Sequence, residues 1–222
     1  STQSRSSAAS DVYKRQLINN RNGTFSFVKL DETTATAQGN ENYWQDRLVG
    51  DNSSNPFPTF VGGQIQEMFF HRNRLGLISN EQVVMSQPGS YFNFFIVSAI
   101  SFSDDNPIDI TVSDVKPAFI NHVLPIQKGM MMFSDNGQFL LFTESDIFSP
   151  KTARLKKVAS YECDASIQPV DLGTSVLFTS NVSSYARAFE ATIVDDDAPP
   201  NILEQTRVVP EFLPKDLSLI HI

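Results

Sequence analysis

Carboxylates are the most abundant side chains capable of chemistry in this sequence, and they gather twice. Asp104, Asp105 and Asp109 lie in FSDDNPID, and Asp195, Asp196 and Asp197 lie in VDDDAPP. Two carboxylates on opposite sides of a sugar bond are what glycoside hydrolysis needs. With 25 Asp and Glu in the chain, some pair is close in sequence by necessity, so proximity alone carries little weight. Asp104-Asp105-Asn106-Pro107 reads better as a turn, where short Asp and Asn side chains bond nearby backbone. Calcium would need the spaced D-x-D-x-D-G pattern, which is missing. Nitrogen and sulfur ligands are scarce. His71 and His122 are single histidines on predicted strands, where a hydrogen-bonded structural role is commoner than a ligand or a base. Cys163 is the only cysteine, so a structural zinc site would have to recruit carboxylates. A small buried apolar side chain is the ordinary state of such a cysteine. The sequence contains no phosphate-binding glycine loop, nucleophile elbow or zinc-protease helix motif. No catalytic, cofactor-binding or metal-binding residue is assigned. The basic knot His71-Arg72-Asn73-Arg74 admits two readings: a contact to an acidic partner, or a strand-edge bend whose arginines pair with the acids of this chain.

The elements around these residues follow a period of two rather than 3.6. Thr24–Leu30 alternates, and Glu41–Phe60 is polar and turn-rich, a long ordered loop with Gly50-Asp51, Asn55-Pro56 and Pro58. Strands are predicted over Ile65–His71, Arg74–Ser79, Val83–Ser86, Ile108–Ser113, Phe119–Gln127, Thr152–Tyr161, Ser175–Thr179 and Tyr185–Val194. Ser79–Gln82 and Pro88-Gly89 are turns, and Ser180–Ser184 is a polar one. Met130–Thr143 is the strongest local signal. Asn136-Gly137 between two apolar runs predicts a hairpin whose turn residues take positive φ. Pairing outward from that turn sets Phe133 opposite Leu140 and Met131 opposite Phe142. Both faces of this hairpin are apolar, so both must be covered. About a dozen short strands without a helical period define an all-β class, a sandwich, barrel or propeller of short antiparallel strands and hairpins. No strict repeat supports identical blades.

Two short segments at the ends are set aside. Asp11–Gln16 reads DVYKRQ and Leu217–Ile222 reads LSLIHI. Codons for the first, GAT GTG TAT AAG AGA CAG, have a reverse complement that encodes the second. One DNA segment in two orientations accounts for both, and it resembles the transposon end used in sequencing libraries. Residues 1–16 and 217–222 are therefore expected to be translated adapter. That leaves 17–42 as an unassigned β segment and 43–216 as the main domain, cut at both ends. The chain carries 17 Lys and Arg against 25 acids. Removing the ends takes away three basic residues and one acid, for a net charge of −10 over 17–216. Such a balance is poor for wrapping nucleic acid. The longest apolar stretch, Tyr91–Phe102, is too short and too polar for a membrane span.

Several stretches then fall into one order. They are Trp44-Gln45-Asp46-Arg47, Gly50-Asp51, Asn55-Pro56-Phe57-Pro58 and Phe60-Val61-Gly62. Next come Phe69-Phe70-His71-Arg72-Asn73-Arg74-Leu75-Gly76, Val83-Val84-Met85-Ser86 and Tyr91-Phe92-Asn93-Phe94-Phe95. Ser103-Asp104-Asp105-Asn106-Pro107-Ile108-Asp109 closes the series. Together these resemble the tail nozzle, or tail tubular protein B, family of short-tailed bacteriophages, from about Tyr43 to about Pro214. FFHRNRLG followed by SDDNPID is the specific part.

The resemblance implies a virion structural protein without catalytic or cofactor residues. It implies a largely β, irregular propeller-like region and a homo-oligomeric ring, usually a hexamer, below the portal and its adaptor protein. Tail fibres would attach to that ring and phage DNA would pass through it. In that setting Asn73 and Gly76 flank a tight strand entry, and Arg72 and Arg74 clamp acidic loops. An acidic wall would repel phosphate and keep DNA from sticking. Two other classes stand beside this one: a virion-associated glycan depolymerase, marked by paired carboxylates in a cleft, and a host-surface binding module.

Overall fold

Alternating side chains resolve into strands in a computed structural model of the chain. It describes residues 15–29, 31, 43–98, 100–182, 184–192, 200–215 and 217. The acidic run Asp195–Asp197, the end of the predicted strand at Val194, residues 32–42 of the unassigned segment and most of both set-aside ends lie outside the described residues.

Fourteen strands are present among the described residues. A hairpin of β1 (Arg15–Asn19) and β2 (Phe25–Lys29) comes first. Three four-stranded sheets follow. Sheet 1 is β3 (Glu67–His71), β4 (Arg74–Ser79), β5 (Gln82–Met85) and β6 (Ile108–Thr111). Sheet 2 is β7 (Ile120–Ile126), β8 (Gly129–Ser134), β9 (Gly137–Thr143) and β10 (Ala153–Ala159). Sheet 3 is β11 (Val170–Asp171), β12 (Ser175–Val182), β13 (Tyr185–Thr192) and β14 (Asn201–Glu204). In each sheet the strands lie side by side in chain order and every pairing is antiparallel. A four-stranded meander is also the unit of a propeller blade, and sheets of this kind account for the all-β class. They close neither a barrel nor a ring among the described residues.

Sheet 2 is the centre of the stack, because its middle strands are apolar on both sides. Met130, Met132, Phe139 and Leu141 face sheet 1 and pack with Ile78, Val83, Met85 and Ile108. Met131 and Phe133 face sheet 3 and pack with Val176, Phe178, Phe189 and Ala191. Phe133 and Phe178 sit 5.4 Å apart, and Phe178 stacks on Phe189 at 5.3 Å. The outer face of sheet 1 is covered by loops rather than strands: Phe60, Phe94 and Trp44 lie over Leu75, Leu77 and Val84. The long loop over 43–60 is thus ordered because it closes a core. Full burial of each large apolar side chain contributes roughly 1.5–3 kcal/mol. The charged β10 strand guards the edge of sheet 2, with Arg154 and Lys156 exposed along it, as an unpaired edge requires.

The central hairpin differs from the predicted register. Ser134 pairs Gly137, Phe133 pairs Gln138 and Met131 pairs Leu140. The two-residue loop is therefore Asp135-Asn136, and neither residue has positive φ. Side-chain anchoring wins over the Asn-Gly signature: Asn136 Nδ2 donates to the Pro117 carbonyl at 2.7 Å, and Ser134 Oγ donates to the Gly137 carbonyl at 2.9 Å. The shift is by two residues, so the faces are unchanged. Ser180–Ser184 is also not a turn throughout. β12 runs to Val182, and Ser180 is buried opposite Arg187. Three short strands, β1, β11 and β14, are additional to the predicted set.

Gly137 is needed for space instead of for φ. A Cβ there would meet the Ala159 carbonyl at 3.0 Å and Lys157 Cε at 2.9 Å. Gly137→Val is expected to destabilise the chain by about 1–3 kcal/mol, read as a lower denaturant midpoint at unchanged m-value. A wild-type midpoint would show that β9 and β10 have room to part.

Candidate functional site

Sheet 1 and its covering loops bring together the residues singled out between Trp44 and Asp109. The β3–β4 turn is the starting point. Arg72 and Asn73 take φ of 46° and 60°, the left-handed pair of a two-residue hairpin loop. Asn tolerates that region; Arg does so at a cost of about 1–2 kcal/mol, so the turn must be held by its surroundings. It is. The Asn73 carbonyl accepts the Gly89 N–H at 2.8 Å, and Asn73 Oδ1 accepts the Tyr91 hydroxyl at 2.7 Å. Arg72 Nη1 donates to the Asp146 carbonyl at 3.1 Å. Gly76 pairs with Phe69 across the hairpin, and the Phe69 ring lies where a Cβ on Gly76 would be, 2.2 Å away.

Arg74 is the centre. It is 1% exposed, the largest fully buried side chain. Its guanidinium donates to the carbonyls of Ser86 and Asn106, both at 2.8 Å, of Asp104 at 3.0 Å and of Phe148 at 3.4 Å. One side chain therefore joins the end of β5, the SDDNPID loop and the loop after β9. Among the described residues no carboxylate lies within ion-pair distance of it. Burial pulls its proton affinity down and the nearby Asp105 charge pushes it back up. The expected arginine clamp on the acidic loop is present, but it grips main-chain oxygens. Carbonyls fit because the four Nη N–H donors of a rigid fork can each find an acceptor there. Asp104 and Asp105 themselves stay exposed.

The other sequence-selected residues support this knot. Ser86 is fully buried and its Oγ accepts the Leu75 N–H at 3.0 Å. Ser103 accepts from Asp105 and Asn106 and shapes the loop, while Ile108, after Pro107, enters the core. Asp109 takes both the N–H and the hydroxyl of Thr59, at 2.9 and 2.7 Å. In the covering loop Gly50 turns with φ of 76°, and Asp51 accepts from Ser53 and Ser54. Those bonds hold the Asp51 carboxyl below its ordinary range. Asn55 is buried and bonds the Ile96 main chain through both its amide groups. Pro56 stays exposed, Val61 packs beside Phe60, and Gly62 takes φ of 87°. Trp44 stacks on Phe94 at 5.5 Å, and Phe95 meets Phe57 edge-on at 5.7 Å.

Among the described residues no group of three metal-ligating side chains converges, and no helix is long and apolar enough to cross a membrane. His71 stands edge-on to Phe148 at 5.2 Å, and burial with the Arg72 charge pushes its proton affinity down. Burial pushes the Cys163 thiol up to about 12. One cavity of about 570 Å³, between β12, β13 and the last turns, is lined by no carboxylate. A second of about 380 Å³ has a single one, Asp171. Sequence reading did not find the Glu67–His122 contact, because it joins residues far apart in the chain.

Two outcomes follow. Arg74→Met leaves four carbonyls facing an apolar side chain and is expected to cost about 3–5 kcal/mol in chemical denaturation. Arg74→Lys should recover little of that, since an ammonium cannot span the four. Cys163 should react with a maleimide at pH 8 at least about a hundredfold more slowly in the folded chain than in denaturant. Equal rates would place the thiol in solvent.

Residues 10–222 match the family model described as bacteriophage nozzle protein, a span that takes in 10–16 of the first set-aside end and all of the second. The chain is 33% identical over 205 residues to the tail tubular protein gp12 of Escherichia phage T7, across 92% of this chain and 24% of that protein. It thus spans about a quarter of that relative's length. Among solved structures, the extracellular domain of a hybrid two-component system from B. thetaiotaomicron is similar at a TM-score of 0.44 and 11% identity. That likeness covers 78% of this chain and 20% of the other, and carries no argument.

Proposed function

Because this chain belongs to the bacteriophage nozzle protein family, we propose that it is one wedge of the annular tail conduit through which the genome leaves the particle. It is a structural component of the phage tail, carried in the virion. In this reading copies of the parent protein form a ring, a hexamer, below the portal and its adaptor. Tail fibres attach to the ring and DNA passes through it transiently. No catalytic step is assigned.

The observation that carries the reading is the Arg74 knot. The FFHRNRLG, VVMS and SDDNPID stretches converge on a rigid joint instead of a reactive cleft, with the arginine spent on four main-chain carbonyls. A protein that must keep its shape while DNA moves past it needs joints of this kind. The acidic balance of the chain, −8 at neutral pH, suits a wall that repels phosphate, and the exposed Asp104 and Asp105 are candidates for it.

Electron microscopy of particles labelled with antibody to this segment tests the placement. Label at the tail tip, and a ring of six from the full-length gene product in native mass spectrometry, are the expected results. A full-length product that stays monomeric in particles, or that depolymerises host glycan unaided, would overturn the proposal.

A further inference from the structure

The three sheets meet at one polar seam. Glu67 on β3 of sheet 1 accepts the Val123 N–H of sheet 2 through Oε2 at 2.7 Å. The same oxygen lies 3.9 Å from Nδ1 of His122. Across the ring, Nε2 of His122 is 3.0 Å from the carbonyl of Ala165, in the segment leading into sheet 3. A register shift in β7 between Ile120 and His122 aims the ring this way, because Asn121 has no partner on β8.

A carbonyl only accepts, so Nε2 carries the hydrogen. The neutral ring then turns a bare Nδ1 toward the Glu67 carboxylate, and two acceptors face each other across the gap. Both side chains are about one-fifth exposed, 17% and 21%, so water relieves the contact only in part. The other charged group near the ring is Asp164, whose Oδ1 is occupied by Ser166 and whose Oδ2 by Asn181. Its field favours a proton at the seam.

We propose that Glu67 and His122 take up one proton from solvent between them as pH falls, and that this proton bonds Glu67 to Nδ1 and clamps sheet 1 to sheet 2 while Nε2–H holds sheet 3. No covalent bond breaks; the pair goes from one negative charge to none. Burial raises the Glu67 carboxyl above its ordinary 4.5 and lowers the His122 imidazole; both directions move the shared proton toward the carboxyl, from which it is donated to the ring. The sign follows. A carboxyl raised in the fold stabilises it fully below its unfolded value, and that contribution fades as pH rises through the folded value. Protonating His122 itself would act oppositely, but a neutral ring accepting from Glu67 avoids that step. Such a pair titrates as a unit.

Thermal unfolding of the 222-residue chain and of Glu67→Gln from pH 8 to pH 5 tests this. Gln mimics the protonated carboxyl at every pH, donating to Nδ1 and accepting from Val123. Glu67→Gln is expected to melt higher than the wild type at pH 8, with the gap narrowing toward pH 5; parallel curves overturn the proposal. A second reading uses the wild type alone. The Val123 amide and the His122 ring resonances should shift in NMR with one common midpoint. Two separate midpoints, or a ring that titrates while Val123 stays still, overturn it.

Discussion

A guanidinium buried without a carboxylate is the constraint on which sheet 1 depends. Removing Arg74 from water costs several kcal/mol, and only complete satisfaction of its donors offsets that. The four carbonyls that satisfy it come from three separate parts of the chain. Each of those loops therefore has to hold its position for the arginine to be tolerated, and the arginine in turn fixes the loops. This mutual dependence explains why the residues around it are so particular. Asn106 is buried beside it, Ser86 ties β4 to β5, and the strained Arg72-Asn73 turn is pinned by Gly89 and Tyr91.

From that joint the rest of the fold extends by apolar matching. Sheet 1 needs covers on both faces. Loops rich in aromatic rings close one, and sheet 2 closes the other. Sheet 2 then has a second apolar face, which sheet 3 covers. The order of sheets in space repeats their order in sequence, with β7 lying against β3 and β4 and β10 against β6. The polar seam at Glu67, His122 and Ala165 runs beside these cores and touches all three layers.

Much of this was legible from residue order, and what was not has identifiable causes. Alternation located most strands to within a residue or two, since one buried face leaves its mark in every second side chain. The two-sided burial of Met130–Phe142 was legible from its unbroken apolar runs. The turn between those strands was misplaced by one residue, which shifts the pairing by two, because Asn136 bonds to Pro117, which is 19 positions away and invisible to local rules. Ser180 looked like turn because it is polar, yet it is buried in a continuing strand. For the site, the resemblance identified the arginines and the acidic loop, but which atoms they use is a matter of three-dimensional fit. Carbonyl acceptors leave no trace in residue type, as every residue has one. Glu67 and His122 are 55 positions apart, so nothing in one sequence marks them as neighbours.

The two interlayer contacts differ in material. Between the first and second sheets lie three thioethers, Met85, Met130 and Met132. Between the second and third lies a pile of benzene rings, Phe133, Phe178 and Phe189, with one thioether, Met131, beside them. Unbranched sulfur chains re-pack at low cost, whereas offset rings favour a narrow set of arrangements. Under load the molecule should consequently behave as a stiff pair of layers with a third that rocks upon it, and oxidants that convert the thioethers of that pivot to sulfoxides would loosen it.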